Sequence, residues 1–168
     1  AKLAVKDEYN FGFLELGEEH AERELEQAIM LRMEKFLIEM GGRFTFMGRQ
    51  YRLEVGGEEF FIDLLLYHRH LKSLVAIELK VGKFVPEFVG KMQFYLSVLD
   101  EEVRLKDENP SIGIILCKSK ERLIVEYALR TATKPIGVAT YKVVKQLPSN
   151  LKSELPAPEQ IQKLMGDV

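Results

Sequence analysis

The chain has 168 residues, of which 46% are hydrophobic and 30% are charged, as in an ordinary folded globular protein. This length suits one domain with its own core and is short for two. The formal net charge of −2 excludes a global electrostatic attraction to nucleic acid, so a surface that binds a polyanion must be a local patch.

Cysteine content and hydropathy indicate the cellular setting. The only cysteine, Cys117, lies in an apolar run and is predicted to be buried. A single cysteine cannot form a disulfide within the chain, which favours a reducing compartment. No apolar run approaches the ~20 residues that a membrane-spanning helix needs, and the N-terminal stretch has no signal-peptide pattern. We therefore expect a cytoplasmic protein with no membrane partner.

The N-terminal region changes character at Glu18. Residues 1–17 mix aromatic and charged side chains without periodicity, and we expect an arm, or a linker from a missing upstream domain. Their apolar side chains could pack on the domain itself or on that missing neighbour. The chain also begins with alanine, so we expect it to be a piece of a longer protein. From Glu18 to Met40 the apolar spacing is helical, and Gly41-Gly42 supplies the stop.

Strand patterns follow this helix. Residues 43–55 are predicted to form a strand, and the parity of its apolar positions changes across Met47-Gly48, as a bulge would produce. Gly56-Gly57 is a hairpin turn signal. Residues 60–67 and 71–81 are predicted to form the next two strands.

The turn between these two strands contains His68 and His70. A His-x-His pair can bind Zn²⁺, but no third or fourth ligand stands at a suitable spacing in the sequence. We interpret both histidines as surface turn residues.

The second half of the chain alternates helices and strands. Pro86 fits the first turn of a helix that runs to about Val103 and is apolar almost all round, so it should pack deeply against the sheet. Residues 111–118 are predicted to form a central strand, residues 121–131 a short helix, and residues 136–144 a last strand.

The predicted domain therefore spans residues 18–146. A tail with three prolines occupies residues 147–168, with one closing helical turn at residues 159–165. The element order α-β-β-β-α-β-α-β predicts an α/β protein in which helices flank a mixed central sheet.

Three charges interrupt the two central apolar strands, and they need a reason to be there because burying an unpaired charge is costly. Side chains alternate along a strand, so Glu78 and Lys80 should point to the same face. A hairpin centred between His70 and Leu71 places Asp63 opposite Glu78. Two facing carboxylates with a lysine beside them fit a divalent-cation site. The alternative is a structural ion pair between Asp63 and Lys80.

An aspartate on the second strand and Glu78-Leu79-Lys80 on the third resemble the motif of the PD-(D/E)XK nuclease superfamily, although the proline before the aspartate is absent. Further blocks, over roughly residues 5–143, look like the YhcG-type branch of that superfamily. These blocks are FLIEMGGRFTFMGRQYRLEVGG, FIDLLLYHRHL, VAIELKVGKFVPEF, GKMQFYL, SIGIILCKSK and VEYAL. The resemblance implies a restriction-endonuclease-like α-β-β-β-α-β core.

The resemblance also implies a chemistry. Mg²⁺ (or Mn²⁺) would be held by the carboxylates of Asp63 and Glu78 and by the backbone carbonyl of Leu79, with waters completing the coordination. Lys80 would hold or help to deprotonate a water, or neutralise charge on the phosphate. Many members of the superfamily add a glutamate from the first helix; our candidate is Glu26, with Glu22 as the next choice, and the alternative for either is a solvated helix face.

Several basic residues are candidate phosphate contacts. Some relatives place a glutamine four residues ahead of a tyrosine on the helix after the motif; here Lys91 takes the glutamine position and Tyr95 the tyrosine position. A lysine at that point could contact phosphate, whereas we interpret Tyr95 as a core residue. Near the sheet edge, Lys83, Arg49 and Arg52 are further candidate phosphate contacts, and the alternative for each is an ordinary surface charge.

The resemblance therefore predicts a Mg²⁺-dependent nuclease domain that hydrolyses phosphodiester bonds in DNA. The alternative is a catalytically silent module with the same fold that binds nucleic acid or mediates oligomerisation, and a third possibility is an RNA substrate. A helical domain preceding this one and a homodimer are further expectations from the family.

Overall fold

Six strands form one mixed sheet with helices on both faces. The computed structural model describes residues 5–144, so the predicted tail and its closing helical turn lie outside the described residues. In chain order the elements are β1 (Glu8–Asn10), α1 (Glu22–Leu31), α2 (Met33–Met40), β2 (Phe44–Val55), β3 (Glu58–His68), β4 (Ser73–Leu79), α3 (Glu87–Val98), β5 (Asn109–Cys117), α4 (Arg122–Arg130) and β6 (Ile136–Lys142). A π-helical turn, Leu99–Val103, extends α3 to its predicted end.

The spatial order of the strands is β1-β6-β5-β4-β3-β2. The strands β2, β3 and β4 pair antiparallel, while β4, β5, β6 and β1 pair in parallel. The predicted mixed sheet and its central hairpins are therefore confirmed. No helix within residues 5–144 is both long enough and apolar enough to cross a membrane.

The N-terminal segment packs on the domain itself, which was one of its two predicted alternatives. Its strand β1 pairs with β6 at the sheet edge. Phe11 and Leu14 are buried in the same core cluster as the central strands. The described part of this segment is thus an integral edge of the sheet.

The single helix predicted from Glu18 to Met40 is wrong, because the structure has two helices that begin at Glu22 and Met33. The backbone of Arg32 leaves the helical region (φ −126°, ψ 43°), and its N–H is shared between two preceding carbonyls. Leu25, Ile29 and Phe36 keep one helical phase across this break, so the apolar periodicity could not reveal it.

The bulge predicted from the change of parity in β2 is confirmed. The register between β2 and β3 shifts between Phe46 and Gly48. At the following turn, Gly56 and Gly57 both have positive φ angles, 59° and 81°, as a tight two-residue hairpin requires. The turn fixes which residue of β2 lies opposite Asp63, and the bulge shifts the register only beyond Gly48.

The sheet separates two apolar layers. One face packs against α1 and α2, and the other packs against α3 and α4. The predicted burial of Cys117 is confirmed, and it belongs to the layer beneath α3. The segments of β3 and β4 that carry Asp63 and Glu78 therefore lie between two helical layers.

Gly113 in β5 sets how closely α3 can approach the sheet. An added Cβ would lie 2.5 Å from Met92 Cγ and 2.7 Å from Met92 Sδ, and Met92 is fully buried. We expect Gly113→Ala to lower the free energy of unfolding by about 1–3 kcal/mol, as overpacking of a core typically does.

Chemical denaturation measures this prediction. Gly90→Ala is the matched control, because Gly90 is exposed on α3 and an added Cβ would meet nothing within 4 Å. Loss of a helix-interior glycine should raise stability by about 0.5–1 kcal/mol. Equal stability of the two variants would show that α3 is not closely packed on β5.

Candidate active site

The antiparallel pairing of β3 with β4 stops one step short of the two acidic residues. The last pair in the register is Leu64↔Ile77, so Asp63 and Glu78 occupy the next position. This is the register that a hairpin centred between His70 and Leu71 predicts. Backbone pairing of the two strands ends here, and side-chain oxygens accept the next backbone N–H groups.

At this position the two carboxylates replace the backbone hydrogen bonds that strand pairing would otherwise make. Asp63 Oδ2 accepts from the backbone N–H of Leu79 at 2.8 Å. In return, the backbone N–H of Asp63 donates to Glu78 Oε1 at 3.4 Å. The fold thus brings two carboxylates close together, one in the middle of β3 and one near the C-terminal end of β4.

Glu78 is the most perturbed acid of the pair. Its residue is only 3% exposed, and burial together with the neighbouring charge of Asp63 raises the pKa of its carboxyl to about 8. Lys91, the N–H of Asp63 and Lys80 lower that pKa only in part. The local positive charge is therefore too small for a buried carboxylate with a second carboxylate beside it, which is the situation that a bound cation would relieve.

Both nearby lysines come from the α3 side of the sheet. Lys91 Nζ lies 3.9 Å from Glu78 Oε2, and Lys80 Nζ lies 4.8 Å from the ring centroid of Phe88. Glu78 and Lys80 therefore share a face, as predicted. Among the described residues Lys80 forms no ion pair with Asp63, so the purely structural pair considered as an alternative is not observed.

Gln50 is a site residue that the sequence reasoning missed. Its amide Nε2 donates to Asp63 Oδ1 at 3.1 Å and to Glu26 Oε2 at 2.6 Å. Glu26, the residue chosen on α1, is therefore brought beside Asp63. A signal existed in the sequence: a two-residue turn at Gly56-Gly57 places residue 50 opposite residue 63.

A polar cleft of about 450 Å³ opens between α1 and the β2–β3 hairpin at this point. It contains three acidic side chains, those of Glu22, Glu26 and Asp63, and two arginines. Arg49 is one of them, so this predicted phosphate contact lies beside the carboxylates. The other is Arg23, which the sequence analysis did not single out.

Other predicted site residues lie apart from this cleft. Arg52 is exposed on β2, and its guanidinium is held by Glu54 and Glu59. Lys83 is exposed beyond the end of β4, where its backbone bridges to Ser119. Neither side chain contacts the acidic pair.

Two aromatic residues have structural roles. Tyr95 is buried, as predicted, and burial together with the charges of Glu78 and Asp63 raises the pKa of its hydroxyl to about 12. The interpretation of His68 as a surface residue is wrong. His68 is buried because it pairs with Phe44 in the register and its ring packs edge-on against that phenyl ring, with centroids 4.9 Å apart.

The donor set of the site fits a hard divalent cation. Within residues 5–144, no cluster of three or more His, Cys, Asp or Glu side chains forms a complete protein cage for a metal. Mg²⁺ does not need one, because it keeps several waters and is commonly held by one or two carboxylates. The adjoining carboxylates of Asp63 and Glu78 and the peptide of Leu79 supply oxygens of the right kind.

The mixed six-stranded sheet flanked by helices is a restriction-endonuclease-like fold, and its acidic pair consists of Asp63 in the middle of β3 and Glu78 near the end of β4. The chain belongs to the family described as the YhcG PDDEXK nuclease domain, which matches residues 2–156.

Two known proteins are similar to this chain. "Putative nuclease YhcG" of Escherichia coli (strain K12) is 39% identical over 145 residues, which cover 86% of this chain and 38% of that protein. A solved repair endonuclease from Pyrococcus abyssi has a TM-score of 0.51 at 22% identity, covering 74% of this chain and 49% of that one. The chain therefore spans well under half the length of the curated relative, and the solved structure supports the fold alone.

Proposed function

We propose that this domain hydrolyses phosphodiester bonds in DNA with the help of Mg²⁺ or Mn²⁺. The observation that supports it most directly is the arrangement of Asp63 and Glu78 where the pairing of β3 with β4 ends: each carboxylate accepts a backbone N–H from the opposite strand. A buried Glu78 carboxylate with Asp63 beside it destabilises the domain in the absence of a cation, so stability alone does not account for the two acids.

Asp63, Glu78 and the backbone carbonyl of Leu79 would hold the cation. When bound, such a cation lowers the pKa of a water and stabilises negative charge on the phosphate. In the overall reaction, the water oxygen forms a new bond to phosphorus and one sugar oxygen leaves and is protonated.

Lys80 would act on the water or on the phosphate. No carboxylate among the described residues pairs with its ammonium group, which instead lies over the ring of Phe88. The charge is therefore available to orient a water or to neutralise charge as it develops in the transition state. Lys91, 3.9 Å from Glu78, and Arg49 in the cleft would contact the phosphates of the substrate.

The proposal extends to parts of the protein beyond this domain. The curated relative is much longer than this chain. An additional helical domain, a homodimer and a cytoplasmic setting are also part of the proposal, and they follow from the family resemblance and the sequence. Among the phosphate contacts assigned from sequence, Arg52 and Lys83 are the weaker ones. Arg52 is already held by two carboxylates, and Lys83 lies apart from the cleft.

Cleavage assays test this function. We expect wild-type protein to cut at least one of plasmid, linear, branched and single-stranded DNA when Mg²⁺ or Mn²⁺ is present, and none with EDTA. Lys80→Ala should reduce the rate by at least ~100-fold because it removes a charge that acts in the transition state.

Lys106→Ala, which changes an exposed loop lysine, should cleave like wild type. A parallel series with RNA addresses the alternative substrate. Absence of cleavage on every substrate, or full activity of Lys80→Ala, would contradict the proposal and favour a silent module.

A further inference from the structure

Gln50 has an unusual backbone conformation for a strand residue. Its φ angle is +44°, in the left-handed region that non-glycine side chains rarely adopt. The β2–β3 pairing includes Arg49↔Leu64 and Tyr51↔Ile62 but omits the position between them. As a result, Arg49 and Gln50 both line the same cleft, which regular strand alternation would prevent.

The left-handed conformation directs the Gln50 amide at two carboxylates. A carboxylate only accepts hydrogen bonds, and the amide nitrogen has two N–H donors, so one nitrogen can serve both Glu26 and Asp63. Gln50 is exposed, and hydrogen bonds in contact with water add little to stability. Stability therefore does not explain why β2 tolerates a conformation that costs about 1–2 kcal/mol.

The two hydrogen bonds have different consequences for the acids. Asp63 is held through both of its oxygens, one by the Leu79 N–H from β4 and one by Gln50 from β2. Glu26, in contrast, has a single side-chain hydrogen bond among the described residues, the one from Gln50. Gln50 is thus the link that joins α1 to the acidic pair on the strands.

We propose that Gln50 is a positioning residue that orients the Asp63 carboxylate and recruits Glu26 to the cation site. This inference rests on the proposed metal-dependent nuclease function. Gln50 does not itself touch the reacting atoms; it sets the spacing between two acids that would otherwise repel each other. Partners of this kind typically change metal affinity or activity by about 10–100-fold when they are removed.

Gln50→Gly separates this role from a structural one. Glycine adopts the left-handed conformation without strain but removes the amide, so the domain should fold as well as wild type. We expect Mn²⁺ binding, measured by isothermal titration calorimetry, to weaken about 10-fold, and metal-dependent cleavage to fall about 10–100-fold.

The chain offers a matched control in Lys72→Gly. Lys72 is also exposed and also has a positive φ angle, +52°, but it lies in the turn before β4, at the opposite end of that strand from the acidic pair. This variant should change the free energy of unfolding as Gln50→Gly does and leave Mn²⁺ affinity and cleavage at the wild-type level.

A second comparison shows whether Gln50 acts through Glu26. Glu26→Ala and the double variant Glu26→Ala/Gln50→Gly should differ less in Mn²⁺ affinity than wild type and Gln50→Gly do, because coupled residues are not additive. If the losses of Mn²⁺ affinity in the two single variants add fully in the double variant, Gln50 acts on Asp63 alone. That result would overturn the recruitment of Glu26.

The failure of this inference is distinct from the failure of the proposed function. Wild-type Mn²⁺ affinity and cleavage in Gln50→Gly would overturn the positioning role while leaving a metal-dependent nuclease in place. A wild-type protein that binds no Mn²⁺ would overturn the proposed function, and this inference with it.

Discussion

Asp63→Asn is expected to reduce metal-dependent cleavage by roughly 10³-fold or more, the scale of loss seen when a central catalytic group is removed. Asparagine keeps an oxygen that can accept from the Leu79 N–H, so the β3–β4 hairpin should remain folded. It removes the negative charge that the cation would need. Rates of DNA cleavage at saturating Mg²⁺ measure the effect, and circular dichroism checks the fold.

Two further variants sharpen this test. Asp63→Ala also leaves the Leu79 N–H without its partner, so it should lose about 1–3 kcal/mol of stability in addition to activity. Glu58→Gln changes an exposed carboxylate at the start of the same strand and should cleave normally. Activity of Asp63→Asn close to that of Glu58→Gln would remove Asp63 from the site.

Glu78→Gln is expected to stabilise the metal-free domain at pH 8 and above. Burial and the charge of Asp63 raise the folded-state pKa of Glu78 from the ordinary 4.5 to about 8. The folded protein therefore binds this proton more tightly than the unfolded chain does, and the stabilisation present below pH 4.5 is lost as the pH rises toward 8. Each unit of pKa shift corresponds to about 1.4 kcal/mol, so the gain should be on the order of a few kcal/mol.

Denaturation in EDTA across pH 5–9 measures this difference. Wild type should lose stability relative to Glu78→Gln as the pH rises, and Asp63→Asn should show a smaller gain because it removes only one cause of the raised pKa. Saturating Mg²⁺ should recover the stability that wild type loses at high pH and should leave the stability of Glu78→Gln unchanged. A pH-independent difference between the two proteins would show that Glu78 is not strained as a carboxylate.

The central hairpin could be predicted because neighbouring residues in the sequence indicate both its strands and its turn. Apolar runs with a polar turn fix the centre, and the period of two then fixes that Asp63 faces Glu78. The same reasoning placed the bulge in β2, because the change in parity is visible in the residues themselves. Strand pairing is therefore predictable wherever one face is apolar and the turn is short.

The other features of the site could not be predicted, because they depend on contacts between segments that are distant in sequence. The left-handed backbone at Gln50 has no residue signature, since glutamine does not favour that region. The burial of His68 follows from Phe44, its partner across a register that the bulge shifts by one residue. Lys91, and not Lys80, lies within ion-pair distance of Glu78. This depends on how α3 packs on the sheet, which is set by the contact between Gly113 and Met92.

The hydrogen bonds that Asp63 and Glu78 make between β3 and β4 bear on which relatives of this domain are active enzymes. Asp63 and Glu78 are also pieces of the strand pairing, because each completes a backbone hydrogen bond. A relative that has lost catalysis would still gain stability from acceptors at these two positions. The side chain of Lys80 makes no such bond among the described residues. An amide at either position would therefore be compatible with a preserved fold alone, whereas retention of both carboxylates together with Lys80 indicates a working enzyme.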